Sequence, residues 1–338
     1  MGGDHAPAAT VAGAKLALDA LPVIERILLV GDKALLKAEL ASQSVSLDRL
    51  EIVHAEEVVG MHESGAKAVR RKKQSSISVA TDLVKDGTCE AVVSAGNTGA
   101  AVAAATIKLR TLPGVGRAGI ASPLPNEHGQ CSLVDAGANP EAKAIHLLQY
   151  GIMGACYAEY VLGKANPKVG LMSVGTEDEK GTEFTREVFA LLKGSDLNFI
   201  GNVEGHDLYD TELDVVVCDG FTGNIVLKTC EATAKAVAKW VKEEIMKSPM
   251  RKLGGMLVKP AFEAAMARGS YEEVGGSLLL GTNGICIIAH GSSSAPAIKN
   301  AIRVAEESVA HRLGPHIEEA ISRNSTATPP AQKQPAHA

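Results

Sequence analysis

The sequence predicts an α/β protein with a largely parallel sheet flanked by helices, and three observations predict it. Apolar runs of strand length alternate with amphipathic stretches of helical period along almost the whole chain. Four glycine-bearing turns each sit where such a run hands over to a helix. They are Ser94-Ala-Gly-Asn97-Thr-Gly99, Gly175-Thr-Glu-Asp-Glu-Lys180-Gly181, Asp219-Gly-Phe-Thr-Gly223-Asn224 and His290-Gly-Ser-Ser-Ser294. The 338 residues are 46% hydrophobic but only 3% aromatic, so the core is packed from Ala, Val, Leu and Ile rather than from rings. That length supports a single two-lobed unit over residues 1–322.

The elements follow in order. Ile27–Val30 is a predicted strand, and Asp32 caps a helix running to about Ser42. Leu50–His54 is a second strand, Ile77–Lys85 a helix, Ala91–Val93 a strand, and Thr98 to Arg110 a helix. Ile120–Pro123 and Gln130–Asp135 flank Pro125-Asn-Glu-His-Gly129, which reads as a hairpin or antiparallel excursion. Asn139-Pro140 opens a long helix from Glu141 to Leu162. Strand Val169–Val174, helix Glu183–Leu192, strands Asn198–Val203 and Val215–Cys218, and helix Asn224–Met246 come next. Strand Gly284–Ala289 leads into helices Ala295–Ala310 and Pro315–Ser322. The Pro/Ala/Gln/Ser-rich stretch from Arg323 to Ala338 is an expected disordered tail.

One stretch breaks the rhythm. Lys247–Phe262 sets Met250, Leu253, Met256 and Leu257 among Lys247, Arg251, Lys252 and Lys259, between prolines. That mixture suits a protruding helical hairpin that touches a membrane surface or a partner, and equally a hairpin packed on its own core.

Bulk properties exclude other classes. A net charge of −5 gives no basic footprint for nucleic acid. No apolar run reaches the roughly 18 residues of a membrane span, and no signal peptide pattern opens the chain. Six dispersed cysteines without a Cys-x-x-Cys pair read as reduced thiols of a cytoplasmic protein. Gly114-Val-Gly116-Arg-Ala-Gly119 matches a dinucleotide fingerprint in letters only, because it follows Leu112-Pro113 rather than a strand. No cofactor and no metal are expected.

Glycine turns at the carboxyl ends of sheet strands let backbone N–H groups and helix starts face an anion. Four of them predict a cleft for a phosphorylated group. Met1-Gly2-Gly3-Asp4-His5-Ala6-Pro7 reads as another such turn, and a turn presenting Asp4 and His5 at a sheet edge should follow a strand.

These residues together carry a resemblance. Gly2-Gly-Asp-His5-Ala-Pro7, Arg70-Arg-Lys-Lys73 with Ser75-Ser76, Ser94-Ala-Gly-Asn-Thr-Gly99 and Asp135-Ala-Gly-Ala-Asn139 stand in the first half. Asn202-Val-Glu-Gly205, Asp219-Gly-Phe-Thr-Gly-Asn224, Gly275-Gly276 with Leu279-Leu-Gly281, and His290-Gly-Ser-Ser293 follow in the second. In this order they resemble the bacterial acyl-acyl-carrier-protein:phosphate acyltransferases of phospholipid synthesis. The resemblance implies an isopropylmalate-dehydrogenase-like fold, a homodimer, and peripheral contact with the inner face of the cell membrane. It implies acyl carrier protein and inorganic phosphate as reaction partners, and a glycerol-3-phosphate acyltransferase downstream. Members of the family carry an apolar strand ahead of the Met-Gly-Gly-Asp-His run.

The implied reaction is attack of phosphate on a thioester, giving an acyl phosphate and a thiol. Phosphate is already anionic, so positioning and oxyanion stabilisation are the main demands. Lys180 is the candidate to pair with phosphate or the oxyanion. Asp219 orients a cation or carrier group, or merely caps a helix. His5 and His290 are candidate donors to phosphate or the leaving thiolate. Asp4, Asn97, Thr98, Gly99, Asp135, Asn139, Asn224 and Ser292 are candidate phosphate-binding or cleft-lining residues. Arg70, Arg71, Lys72 and Lys73 form a basic run that suits docking of an acidic carrier. Cys218 is read as a buried strand residue rather than a nucleophile. Two other activities stand beside this one: a short-chain acyl-CoA:phosphate acyltransferase, and a nicotinamide-dependent decarboxylating dehydrogenase. A membrane-surface adaptor that binds carrier protein is the non-catalytic reading.

Overall fold

A computed structural model of the protein describes residues 1–46, 48–268 and 275–325. The chain opens with α1 (Ala8–Ala20), β1 (Ile27–Gly31), α2 (Lys33–Ser42) and β2 (Leu50–His54). It continues through α3 (Gly65–Arg71), α4 (Ser76–Lys85), β3 (Ala91–Ser94) and α5 (Thr98–Ala104), which runs on as a π-helical turn over Ala105–Leu109. The hairpin β4 (Gly119–Asn126) and β5 (Gly129–Val134) precedes α6 (Ala144–Cys156), itself prolonged by a π-helical turn over Tyr157–Val161. Then come β6 (Lys168–Met172), α7 (Glu183–Lys193), β7 (Asn198–Val203), α8 (Asp207–Asp210) and β8 (Val215–Val217). The last part holds α9 (Gly220–Met246), α10 (Pro249–Arg268), β9 (Ser277–Leu280), β10 (Ile285–Ile288), α11 (Ala295–Ala310) and α12 (Leu313–Ser325).

Eight strands form the main sheet in the order β3-β10-β9-β4-β5-β8-β6-β7, and β1 pairs with β2 in a separate parallel sheet. The outer pairs are parallel (β3 with β10, β5 with β8, β8 with β6, β6 with β7). Three central pairs are antiparallel: β10 with β9, β9 with β4, and β4 with β5. Those three reversals have a consequence for the site. β3 and β10 run opposite to β5, β8, β6 and β7, so the two blocks send their carboxyl ends to opposite edges. The four glycine turns, expected to build one cleft, divide into two pairs.

The α/β class expected from the sequence is the class observed. Val215, Val216 and Val217 are fully buried, as a strand covered on both faces requires. On one face α6, α7, α11 and α12 close a large cluster around Tyr150, Met153 and Leu171. On the other, Val102 of α5 and Leu227 of α9 pack against one cluster that holds Ile120 and Ala136. Helix α9 thus climbs from one edge along the face that α5 descends from the other.

Several boundaries differ from expectation, two of them for a clear local reason. Helix α9 starts at Gly220, four residues early, because the Asp219 carboxylate accepts the Phe221 and Thr222 N–H groups at 2.9 Å. Helix α6 starts at Ala144, because the Asn139 amide is held in the preceding loop by the Ala118 carbonyl and the Tyr150 hydroxyl. Helix α12 continues to Ser325 through the start of the expected tail, and residues 326–338 lie outside the described residues.

The stretch 247–262 lies in a hairpin of α9 and α10. Gly255 lets α10 approach Ile245, where a Cβ would stand 2.5 Å from the Ile245 Cγ2. At 1.5 Å per residue the 27 residues of α9 span about 40 Å. Its only buried residues are Gly220 and Gly223, at its foot.

Candidate active site

The amino-terminal turn is wedged between two loops. A Cβ on Gly3 would stand 2.4 Å from the Ala95 carbonyl oxygen and 3.0 Å from that of Gly291. Only glycine admits that approach. The Asp4 N–H donates to the Gly291 carbonyl at 2.8 Å, which fixes the turn to the loop after β10. From this junction three helices depart: α1 after Pro7, α5 after its cap Asn97, and α11 after its cap Ser294. Three helix N-termini near one point make a favourable place for an anion.

The side chains at this edge divide by role. Asp4, His5, Thr98, Gly99 and His290 are exposed. Ser292 turns the His290 ring: its N–H donates to Nδ1 at 3.2 Å, and its hydroxyl lies 2.7 Å from the same atom. With Nδ1 accepting, a neutral ring carries its proton on Nε2. The neighbouring Ser293 hydroxyl is buried with no hydrogen-bond partner among the described residues. Asn97 is occupied structurally. Its Oδ1 caps Ala100, and its Nδ2 donates to the carbonyls of Gly60, Met61 and Glu63 at 2.9–3.1 Å. It pins the 60–63 loop to the start of α5.

Asp135, Asn139, Asp219 and Asn224 gather at the other edge. Asp135 is 0% exposed, and its carboxylate accepts backbone N–H groups from Ile120, Gly137, Ala138 and Asn139 at 2.7–3.0 Å. Such a carboxylate organises the loop and has no lone pair directed at a ligand. The Gly220 Cα comes so close that a Cβ would stand 2.7 Å from Asp135 Oδ2. Asp219 is the α9 cap, with its second oxygen accepting the Thr222 hydroxyl at 2.7 Å. Asn224 is exposed beside Gly137. Lys180 follows β6 on an exposed turn with Glu177, Asp178 and Glu179, its Nζ 3.8 Å from Glu177. Beneath that turn, Ser173 Oγ and Asn202 Oδ1 are buried without partners among the described residues.

In the basic run, Arg70, Arg71 and Lys73 are exposed, whereas Lys72 is turned inward. Its amine donates to Glu63 Oε1 at 2.6 Å and to the Val58 carbonyl at 2.8 Å. That hydrogen bond, with another from the Gly60 N–H, holds the Glu63 carboxyl below its usual range. Glu63 was missed in the sequence, where it is one acid among many. The Cys218 thiol is buried and pushed far up by burial, the state of a core residue. The Gly114–Gly119 run is a loop leading into β4, with Gly116 against His146 and Gln149.

The family described as "Fatty acid synthesis protein" matches residues 1–313. A phosphate acyltransferase of Akkermansia muciniphila is 54% identical over 99% of this chain and 98% of its own length. One of Pelotomaculum thermopropionicum is 51% identical over 95% of this chain and 93% of its own. The chain belongs to the phosphate acyltransferase family. It is therefore an acyltransferase enzyme. Among solved structures, a phosphotransacetylase of Streptococcus pyogenes superposes with a TM-score of 0.57 at 16% identity, covering 92% of this chain and 91% of that one. EutD phosphotransacetylase of Staphylococcus aureus does so with a TM-score of 0.55 at 14% identity, over 88% and 92%. The phosphate acyltransferase chain shares the fold of those structures. Among its described residues no helix is long and apolar enough to cross a membrane.

Proposed function

We propose that the protein transfers a fatty acyl group from acyl carrier protein to inorganic phosphate, supplying acyl phosphate for phospholipid synthesis. The observation that carries this reading is the convergence of the α1, α5 and α11 starts at the Gly3 junction, beside two exposed histidines. Phosphate sits on those helix starts and on Thr98, Gly99 and Ser292, with His5 and His290 donating to its oxygens. A phosphate oxygen attacks the thioester carbonyl, and the tetrahedral intermediate collapses with cleavage of the C–S bond. The proton that phosphate gives up ends on the departing thiolate. With Nδ1 taken up by Ser292, the Nε2–H is the group of the His290 ring assigned to a phosphate oxygen. Lys180 has acidic neighbours and follows a strand of the other block, so it takes no part in this cradle.

The same reading assigns Arg70, Arg71 and Lys73 to docking of the acidic carrier. It assigns Met250, Leu253, Met256 and Leu257 to contact with the inner face of the cell membrane, in a protein that works as a homodimer. Met250 and Leu257 are 79% and 78% exposed, which suits that contact. The test is phosphate-dependent release of carrier thiol from a long-chain acyl carrier protein, with acyl phosphate trapped by hydroxylamine. Release that saturates with phosphate supports the reading. Turnover with short-chain acyl-CoA alone would move the assignment to that donor, and thiol release without phosphate would overturn it.

A further inference from the structure

The loop over residues 58–63 passes beside the Gly3 junction and leaves two apolar side chains in solvent. Val58 and Met61 are each 37% exposed. Both lie against the junction. A Cβ on Gly291 would meet Met61 Cε and stand 3.3 Å from its Sδ, and one on Gly2 would stand 3.7 Å from Val58 Cγ1. Asp4 Oδ2 lies 3.7 Å from that same Gly291 position, so a thioether and a carboxylate flank one glycine. Asp4, His5, Thr98 and His290, exposed at this edge, are all polar. Met61 sets an apolar surface directly beside them.

A single exposed methionine is ordinary on a protein surface. This one is held in place. The Asn97 amide donates to the carbonyls of Gly60, Met61 and Glu63. Lys72 donates to the Val58 carbonyl and the Glu63 carboxylate, and the Gly60 N–H donates to that carboxylate too. These bonds fix the backbone that presents Met61, and they use up four carbonyls of the loop. A substrate arm rich in amides would need polar partners here and find those groups already spent. A run of methylenes needs none. Methionine, unbranched and polarisable, adapts its shape to such a chain.

The chemistry brings an apolar chain to this spot. With phosphate on the α11 start, the acyl carbon under attack lies within reach of a phosphate oxygen. Gly291 belongs to the loop that opens α11, and the methylenes next to that carbon pass over it, where the Met61 thioether stands. We propose that Met61, with Val58 further along the loop, is a specificity-determining contact for the acyl half of the thioester. The first methylenes of a fatty acyl chain lie on its side chain, and an acetyl group is too short to use it. This inference rests on the phosphate reading given above and adds to it the place of the acyl chain.

The experiment compares the unaltered enzyme with Met61→Ala and Met61→Leu. The ratio of kcat/KM for decanoyl- over acetyl-carrier protein is measured at saturating phosphate. Met61→Ala is expected to lower that ratio by about tenfold, and Met61→Leu to restore most of it. An unchanged ratio overturns the proposal. So does an equal loss with both chains, which would make Met61 a prop for the junction alone. A second measurement does not need turnover. Isotope-labelled methionine methyl groups are followed by NMR, with the Met61 signal assigned by its absence from Met61→Leu. That signal is expected to shift with S-decylpantetheine and to stay in place with S-methylpantetheine. The same response to both probes refutes the acyl contact. Failure of the unaltered enzyme to release thiol in response to phosphate would sink the assigned reaction instead, and the two NMR probes would still decide the contact.

Discussion

The Asp4 N–H donates to the Gly291 carbonyl at 2.8 Å, and this one bond joins the first turn of the chain to the loop that opens α11. Gly3 makes the approach possible. Gly3→Ala is expected to cost about 1–3 kcal/mol of stability and to remove most turnover, because the displaced turn carries His5. Thermal unfolding and steady-state rates read both effects. Gly205→Ala, where a Cβ meets nothing within 4 Å, is the matched control.

His290→Ala is expected to lower kcat/KM for phosphate by about 10²–10³-fold, the usual loss for one preorganised donor. Ser292→Ala leaves the ring in place but ungripped, and a loss nearer tenfold is expected. Equal losses would mean that the Ser292 contact with phosphate counts for as much as the ring it holds.

Asn97 tells structural from catalytic work. Asn97→Asp keeps an oxygen for the α5 cap but sets a carboxylate against three carbonyls. It should destabilise more than Asn97→Ala, which costs about 1–3 kcal/mol. Calorimetry measures the order, and unaltered melting with lost activity would contradict the assignment.

Acid should loosen the 58–63 loop. The folded Glu63 pKa is depressed, chiefly by its Lys72 hydrogen bond, so its contribution is complete above the ordinary glutamate value and lost as pH falls through the folded one. Lys72→Met should flatten that acid limb. Hydrogen exchange across residues 58–63, followed from neutral to acid pH in both proteins, tests it.

Leu257→Asp and Met250→Asp are expected to weaken sedimentation with anionic vesicles while soluble turnover stays unchanged. Full retention on vesicles would remove the arm from membrane contact.

The strands and long helices were legible because their periodicity is local. Asp32 as a cap, the Leu50–His54 strand and the Ala295–Ala310 helix needed no distant partner to be recognised. Helix α3 has only seven residues, too few for a period to emerge, and β9 is a run of four between glycines. Which edge each turn faces could not be read, because it follows from three antiparallel pairings among residues far apart in sequence. The inward turn of Lys72 was hidden for the same reason. In the sequence it is one of four equal charges, and Glu63, from the preceding loop, singles it out.

The most direct measurement is the phosphate dependence of thiol release in His290→Ala and Lys180→Ala, assayed side by side with a long-chain acyl carrier protein. The account predicts a large rise in phosphate KM or loss of kcat/KM for His290→Ala, and a phosphate KM close to that of the unaltered enzyme for Lys180→Ala. The reverse pattern would place the phosphate at the other edge of the sheet and contradict the account.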